Sequence, residues 1–198
     1  MLYPNPQIYH HLKAIFVHIP KAAGTAIENT LRLPEQVAGG HSTALGYRHK
    51  FPTEFAVYFK FAVCRHPVDR FLSCYYYLHQ RGMHAALNNQ LVRAAATPDA
   101  FCAALIANPA IAKKIVHLNP QASFVCDAAG EIIVDQVYRF ETLAADWQAI
   151  SAKLGIPHVP LRHSNRSQRP PLVPDTTPAV LDYVRKTYAK DFEIFGYQ

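Results

Sequence analysis

The sequence predicts an α/β fold: a single domain with a parallel β-sheet flanked by helices and a P-loop-like strand-loop-helix near its start. Two apolar runs, residues 14–17 and 56–64, have the continuous hydrophobic character of strands buried on both faces of a sheet. Helical spacing of apolar residues follows each run, and this alternation is typical of a parallel sheet with crossover helices. With 198 residues, 50% of them hydrophobic, the chain can bury one core, so we expect a single domain over residues 1–198.

The composition favours an anionic partner. The formal net charge is +6, an excess that suits a nucleotide, a sulfated or carboxylated glycan, or nucleic acid. No stretch is long and apolar enough to span a bilayer, and residues 1–11 are too polar and proline-rich for a signal peptide. The four cysteines form no C-x-x-C pair, so we expect neither a zinc site nor a disulfide framework. Reduced thiols in a soluble, cytoplasmic protein are the simplest interpretation.

The stretch 14–31 carries the first motif with functional content. Its strand ends before Pro20, which cannot donate to a sheet ladder, so the chain turns there. A helix is expected to begin near Gly24 or Thr25, because the apolar residues beyond them recur at helical spacing. Amide groups at the start of that helix, the helix dipole and the Lys21 ammonium together favour an anion. The predicted anion loop consists of Lys21, Ala22, Ala23, Gly24, Thr25 and Ala26.

The anion loop differs from a Walker A motif, and a strand-turn-helix with one lysine is common in α/β proteins. Lys21 precedes the glycine, so the adjacent Lys-Ser/Thr pair that supplies a magnesium ligand is missing, and we expect no metal. Two other functions stay open at this point. One is a nucleotide-dependent phosphotransferase of P-loop type, because residues 132–135 look like a Walker B strand. The other is a non-enzymatic module that binds anions or nucleic acid.

A second candidate anion site follows the second predicted strand. Arg65 lies at the carboxyl end of that strand, where ligands bind in open α/β sheets, and a guanidinium suits bidentate phosphate recognition. Pro67 suits the first turn of the next helix, and Ser73 adds a hydroxyl two turns into it. Asp69 and Arg70 are more typical of an exposed ion pair than of a ligand site.

The rest of the chain predicts mostly helices. Thr97 is a capping threonine before a proline at the first helical position, Thr177-Pro178 starts the last helix, and Gly155 ends a helix. The helix after Pro67 has a core-facing stripe of Val68, Phe71, Leu72, Tyr75 and Tyr76. The other predicted elements are helices over 83–95, 98–107, 141–154 and 177–189, strands over 130–135 and 136–140, an irregular segment over 119–130, and a proline-rich loop over 156–176.

The two anion motifs together resemble the sulfotransferases that use 3′-phosphoadenosine 5′-phosphosulfate (PAPS). The likeness is to the carbohydrate group, which includes heparan sulfate 2-O-sulfotransferase and its small bacterial relatives. In that family a loop like His18–Thr25 binds the 5′-phosphosulfate, and a pattern like Arg65–Tyr75 binds the 3′-phosphate. The chain matches the second pattern at Arg65, Pro67, Arg70, Ser73 and Tyr75. The resemblance continues through Phe140–Leu143 and Asp191–Tyr197, so it spans nearly the whole chain.

The resemblance implies in-line transfer of the sulfuryl group from PAPS to a hydroxyl of a carbohydrate-type acceptor, a glycan or glycolipid. It also implies a sulfotransferase/P-loop NTPase-like fold, and the chemistry fits these residues without a metal. We expect no nucleic-acid partner, because most aromatic residues fall on apolar stripes, and no membrane span. In this chemistry Lys21 and the loop amides stabilise the leaving phosphate oxygen. Ala22 and Ala26 stand where the family often has threonine and serine, which removes a side-chain hydroxyl from the phosphosulfate site.

The resemblance places the catalytic base in the loop that contains Gly39-Gly40, and His41 is the candidate there. An ordinary loop histidine or a helix cap is the alternative for His41. Glu28 is the second candidate base, although a glutamate at its position more typically caps the helix or pairs with Arg32. His18 is expected to pack or hydrogen-bond within the anion loop.

The proline-rich loop over residues 156–176 also has a basic, hydrogen-bonding face. It resembles the family segment that covers the nucleotide, and long loops inside a compact domain are often functional. Ser167 and Arg169 are therefore predicted to contact the 3′-phosphate or the adenine side. A solvated loop without a ligand is the alternative.

Overall fold

The computed structural model describes residues 7–36, 39–81, 94–161 and 176–198. The chain falls into two compact units: Met1–Arg65 with Gln121–Asn165, and His66–Pro120 with Arg166–Gln198. The first unit contains the sheet and the anion loop, whereas the described part of the second unit is helical. None of the helices in the described ranges is long and apolar enough to cross a lipid bilayer.

The sheet of the first unit has four strands in the order β1-β2-β3-β4. They are β1 (Ile8–Tyr9), β2 (Ala14–Val17), β3 (Phe59–Cys64) and β4 (Gln136–Arg139). β2, β3 and β4 are parallel, and β1 runs antiparallel to β2. Val17 pairs with Ala62 and Cys64 pairs with Arg139, so the parallel strands end toward one edge of the sheet. The predicted α/β class with a parallel sheet is confirmed, and the antiparallel edge strand β1 is an addition.

Ten α-helices lie in the described ranges. In chain order they are α1 (Gly24–Leu31), α2 (Ala44–Lys50), α3 (Pro52–Val57), α4 (Pro67–Arg81), α5 (Pro98–Ala107), α6 (Pro109–Ala112), α7 (Ala122–Val125), α8 (Leu143–Leu154), α9 (Pro178–Thr187) and α10 (Ala189–Phe195). Short 3-10 helices cover His10–Leu12 and Val116–Leu118. The predicted helix over 83–95 lies largely outside the described residues.

The predicted start of the second strand is wrong by three residues. The sequence predicts a strand from residue 56, but β3 begins at Phe59 because residues 56 and 57 complete α3. Pro52 occupies the first turn of α3, where its missing N–H costs nothing. Glu54 adds a negative charge that the amino end of the helix dipole favours.

The segment before β4 also differs from its prediction. The strand predicted over 130–135 is reduced to one isolated bridge between Cys126 and Ile132. Asp127 explains this, because its side chain accepts hydrogen bonds from the backbone N–H groups of Ala129 (3.0 Å) and Glu131 (3.1 Å) and so forms a local turn. Residues 122–125, expected to be irregular, form the short helix α7.

Helix ends follow the local sequence signals closely. Thr97 Oγ1 accepts from Ala100 N at 3.2 Å, which confirms the predicted cap, and Thr177 Oγ1 accepts from Val180 N at 3.2 Å, so Thr177 caps the last predicted helix in the same way. Thr177 Oγ1 also donates to Asp99 Oδ1 at 2.6 Å, which ties α9 to α5. Gly155 ends α8 with a left-handed φ of 66°, as expected of a terminating glycine.

The core of the second unit is built on the predicted stripe of α4. Its five side chains are buried and belong to one cluster with residues of α5 and α9. The buried members of this cluster include Val68, Phe71, Leu72, Tyr75, Tyr76, Phe101, Leu105, Val180 and Val184. The periodicity of the sequence therefore identified the buried face of α4 correctly.

Arg70 is not half of a surface ion pair. It is only 1% exposed, and its guanidinium donates to His117 O and Asn119 O, both at 2.9 Å. Its Cζ atom lies 5.1 Å from the ring centroid of Tyr188, whose hydroxyl donates to Leu118 O at 2.9 Å. Three successive carbonyls are thus satisfied by two buried side chains. The surface interpretation is wrong because these carbonyls, once buried, require donors.

We expect Arg70→Met to lower the free energy of unfolding by about 3 kcal/mol, because methionine fills the buried space of Arg70 but leaves the carbonyls of His117 and Asn119 without their donor. Urea denaturation measures the change. Arg185→Met is the matched control, because Arg185 is exposed in the last turn of α9 and should change stability by less than about 0.5 kcal/mol. Equal stability of the Arg70 variant and wild type would contradict the structural role of Arg70.

Candidate functional site

The anion loop joins the end of β2 to α1 through two left-handed residues. Lys21 has a φ of 68° and Ala23 has a φ of 64°. For non-glycine residues such conformations cost about 1 kcal/mol or more, and they concentrate at ligand-binding loops. Ala23 is the N-cap of α1, and among the described residues no side chain caps this helix. The first amides of α1 therefore offer donors to an anion, and Lys21 lies in the same loop.

Gly24 is required by the close approach of His18. A β-carbon at Gly24 would lie 1.8 Å from His18 Nε2, so any larger residue would displace the imidazole. The His18 ring is only 8% exposed, and its Nδ1 lies 2.5 Å from Glu28 Oε1. His18 is expected to pack or hydrogen-bond within the loop: it packs against Gly24, and its side-chain hydrogen bond goes to Glu28 on α1. Through these contacts His18, which follows β2, fixes the start of α1 to the end of that strand.

Glu28 is a buried carboxylate whose partners all donate. It is 3% exposed and accepts from Gln7 Nε2 at 2.9 Å and Gly39 N at 3.2 Å, in addition to His18 Nδ1. Burial raises the pKa of Glu28, but the hydrogen bond and charge of His18, with the other two donors, bring that pKa below its usual value. Glu28 is therefore ionised at neutral pH. Glu28 is expected from the sequence to cap the helix or to pair with Arg32, and it instead binds Gln7, His18 and Gly39.

The predicted base His41 lies against His18. The two ring centroids are 4.4 Å apart and the ring planes meet at 71°. His41 Nδ1 lies 3.2 Å from the carbonyl oxygen of His18. A carbonyl only accepts, so Nδ1 carries the hydrogen, and a neutral His41 then has its lone pair on Nε2. That tautomer is the one in which Nε2 can accept a proton.

Gln7 and Tyr47 complete the network, and neither was predicted from the sequence. Gln7 is 2% exposed, and its Nε2 donates to Gly40 O as well as to Glu28. The Tyr47 hydroxyl donates to Gln7 Oε1 and accepts from Gln7 N at 3.0 Å. Burial raises the pKa of Tyr47, so its hydroxyl keeps its proton. These partners are 21 to 40 residues apart, and no local pattern reveals them.

Arg65 lies beside the anion loop, as the two motifs predict. Its Nη1 donates to Lys21 O at 3.4 Å, and its guanidinium covers the Phe140 ring at 4.3 Å from the centroid. The Gln121 side chain holds the backbone of Arg65 from both sides, accepting from its N–H at 2.9 Å and donating to its C=O at 2.8 Å. Gln121 is fully buried, so the backbone of Arg65 is held in a fixed position. No pattern in the sequence identifies Gln121.

The other predicted site residues lie in several parts of the chain. Ala22 and Ala26 are buried, whereas Thr25 is exposed at the start of α1. Ser73 is 5% exposed on α4, in the second unit, and its role at the 3′-phosphate stays a prediction. Ser167 and Arg169 lie outside the described residues. In the described parts of the chain, no cluster of three or more histidine, cysteine, aspartate or glutamate side chains could hold a metal ion.

A cavity of about 630 Å³ lies at the opposite end of the sheet. Its lining includes Phe59 and Gln136, the first residues of β3 and β4, whereas Lys21 and Arg65 follow the carboxyl ends of β2 and β3. Lys60 is paired with Asp135 there at 3.0 Å, so its charge is already compensated. This cavity therefore does not belong to the predicted anion site.

The anion loop, Arg65 and His41 thus give the first unit a cationic site with a histidine beside it. A model of the sulfotransferase family matches residues 8–198. No curated protein and no solved structure matches the chain. Because the family model covers nearly the whole sequence, including both anion motifs, this chain belongs to the sulfotransferase family.

Proposed function

We propose that this protein is a PAPS-dependent sulfotransferase that transfers the sulfuryl group to a hydroxyl of a carbohydrate-type acceptor, with residues 1–198 acting as one domain. The observation that carries the proposal is the contact between the two anion motifs. Arg65 donates to the carbonyl of Lys21, the residue that begins the anion loop. Two permanent cations and an uncapped helix start are thereby assembled in one unit, which suits a nucleotide with separate phosphate and phosphosulfate groups.

The anion loop supplies the charge stabilisation that sulfuryl transfer needs. As the bond between sulfur and the bridging oxygen breaks, negative charge develops on the 5′-phosphate of the leaving nucleotide. Lys21 and the amides of Gly24 and Thr25 are proposed to bind that phosphate and stabilise the charge. Arg65 is proposed to bind the 3′-phosphate, with Ser73, Ser167 and Arg169 as further contacts that the resemblance implies.

His41 is proposed as the base. The acceptor hydroxyl oxygen forms the new bond to sulfur, and its proton passes to His41 Nε2. The hydrogen bond from Nδ1 to the His18 carbonyl supports this role, because it favours the tautomer with a lone pair on Nε2. Glu28 is a poorer candidate, since three donors already bind its carboxylate.

The position of Asp135, the candidate Walker B aspartate, disfavours a P-loop phosphotransferase. Asp135 precedes β4, at the amino end of a parallel strand, whereas the anion loop follows the carboxyl end of β2. Its carboxylate also accepts from the backbone N–H of Lys60 at 2.7 Å and from Lys60 Nζ. This arrangement orders the start of β3 and leaves the aspartate away from the loop.

A nucleic-acid module is disfavoured by where the aromatic side chains lie. Binding of single strands needs exposed rings beside basic residues. Among the described phenylalanine, tyrosine and tryptophan residues, Phe140 is the one that is exposed, at 36%, and Arg65 covers its ring. The net positive charge is therefore better explained by a nucleotide donor and a glycan or glycolipid acceptor.

A cytoplasmic location is part of the proposal. Cys64, Cys74, Cys102 and Cys126 are all buried thiols, as expected from their spacing in the sequence. Thiols persist most readily in a reducing compartment.

The donor site predicts tight binding of adenosine 3′,5′-bisphosphate without a metal. Calorimetry in EDTA should detect binding by the wild type, and Lys21→Ala or Arg65→Ala should weaken it by about 10- to 100-fold, because each removes a charge-assisted contact. Lys50→Ala is the control, because Lys50 is exposed at the end of α2 and should leave the affinity unchanged. A folded wild type that binds no nucleotide, or binds only with magnesium, would refute the proposed donor site.

The base assignment predicts a separation of binding from transfer. His41→Ala should bind the bisphosphate normally but transfer sulfur-labelled sulfuryl from PAPS to a glycan and glycolipid panel at least about 100-fold more slowly. His49→Ala, an exposed histidine of α2, should behave as the wild type. Unchanged turnover in the His41 variant would move the base to another residue.

A further inference from the structure

The segment that carries His41 is held by contacts at three successive residues. Gly39 N donates to Glu28 Oε2 at 3.2 Å, and Gly40 O accepts from Gln7 Nε2. His41 Nδ1 lies 3.2 Å from the His18 carbonyl. Two adjacent glycines have the greatest freedom of any dipeptide, so such a segment costs more to order than any other. The contacts hold in place a stretch that would otherwise sample many conformations.

The two side chains that hold the glycines are themselves fixed. Glu28 is 3% exposed on α1 and is bound by His18, and Gln7 is 2% exposed beside β1. Gln7 Oε1 accepts from the Tyr47 hydroxyl, and both hydrogens of its amide are used, one by Gly40 O and one by Glu28 Oε1. Every polar atom of the Gln7 side chain therefore has a partner, which leaves it one orientation.

We propose that Glu28 and Gln7 are positioning residues that clamp the Gly39–His41 segment and thereby fix His41 as the base of sulfuryl transfer. The assignment rests on the proposed function, because it concerns the same site. Neither side chain acts on the reacting atoms; Glu28 acts through the Gly39 amide and Gln7 through the Gly40 carbonyl. Catalytic groups of this kind depend on a shell of fixed partners, since a misplacement of about 1 Å can cost a large factor in rate.

The clamp requires a carboxylate at position 28. Oε1 accepts from Gln7 and His18, and Oε2 accepts from Gly39, so both oxygens face donors. A carboxamide has only one oxygen. If that oxygen keeps Gln7 and His18, the amide nitrogen faces the Gly39 N–H, and two donors oppose each other. Glu28→Gln therefore preserves volume and shape while releasing at least one contact.

A purely structural role for Glu28 makes a different prediction. If Glu28 served only to satisfy His18 beneath Gly24, its loss would weaken nucleotide binding or stability and would leave the His41 ring unchanged. The positioning role instead predicts a defect in turnover with the donor affinity preserved. The two roles therefore differ in kcat against KM and in the state of the His41 imidazole.

The test is Glu28→Gln in the full chain, with Glu35→Gln as the control, because Glu35 is exposed. Turnover of PAPS should fall by about 100-fold with the KM for the donor unchanged. In protein labelled with ¹⁵N-histidine, nuclear magnetic resonance should show His41 as the Nδ1–H tautomer in the wild type and as a mixture in the variant. Gln7→Ala should reproduce both effects. Equal turnover and an unchanged His41 tautomer in both variants would overturn the proposal.

A measurement on the wild type decides the matter if either variant does not fold. The Gly39 amide, a donor to a buried carboxylate, should exchange its hydrogen far more slowly than an open loop amide. Exchange at the rate of an open loop would overturn the clamp. Failure of the proposed function would look different: the wild type would bind no adenosine 3′,5′-bisphosphate, while the slow Gly39 exchange and the His41 tautomer would be unaffected.

Discussion

The buried carboxylate of Glu28 is the contact on which the site of the first unit depends. It joins the anion loop through His18, the start of the sheet through Gln7, and the His41 segment through Gly39. A buried carboxylate without partners would be costly, but three donors outweigh the effect of burial and lower its pKa. The contribution of ionised Glu28 to the free energy of unfolding is fully present above the ordinary pKa of a carboxyl group. It is lost as the pH falls through the lowered pKa of Glu28 in the folded state.

The sheet explains why the anion loop and Arg65 meet. β2 and β3 are adjacent and parallel, so the loop after Val17 and the residue after Cys64 emerge at the same edge. The side chain of Gln121 then fixes the backbone of Arg65, and Phe140, which follows β4, supports its guanidinium. The three parallel strands thus each contribute to the cationic site at their carboxyl ends: the anion loop follows β2, Arg65 follows β3 and Phe140 follows β4. The family's chemistry is supported by this geometry more than by any single residue.

The sequence predicts those parts of the fold that depend on contacts between residues a few positions apart in the chain. The turn at Pro20, the start of α1 and the threonine caps at 97 and 177 arise from contacts within a few residues. The surface prediction for Arg70 is wrong because a charged residue on a helix is usually exposed, and only the fold shows that Arg70 is buried and donates to the carbonyls of His117 and Asn119. For the same reason Gln7, Tyr47 and Gln121 gave no signal, since their partners are 21 to 56 residues away.

The measurement that tests the central claim most directly is a crystal structure with adenosine 3′,5′-bisphosphate bound. We expect the 5′-phosphate at the amides of Gly24 and Thr25 with Lys21 Nζ beside it, the 3′-phosphate at Arg65, and His41 Nε2 facing the space next to the 5′-phosphate. A nucleotide seated instead in the cavity lined by Phe59 and Gln136, at the amino end of the parallel strands, would contradict this arrangement.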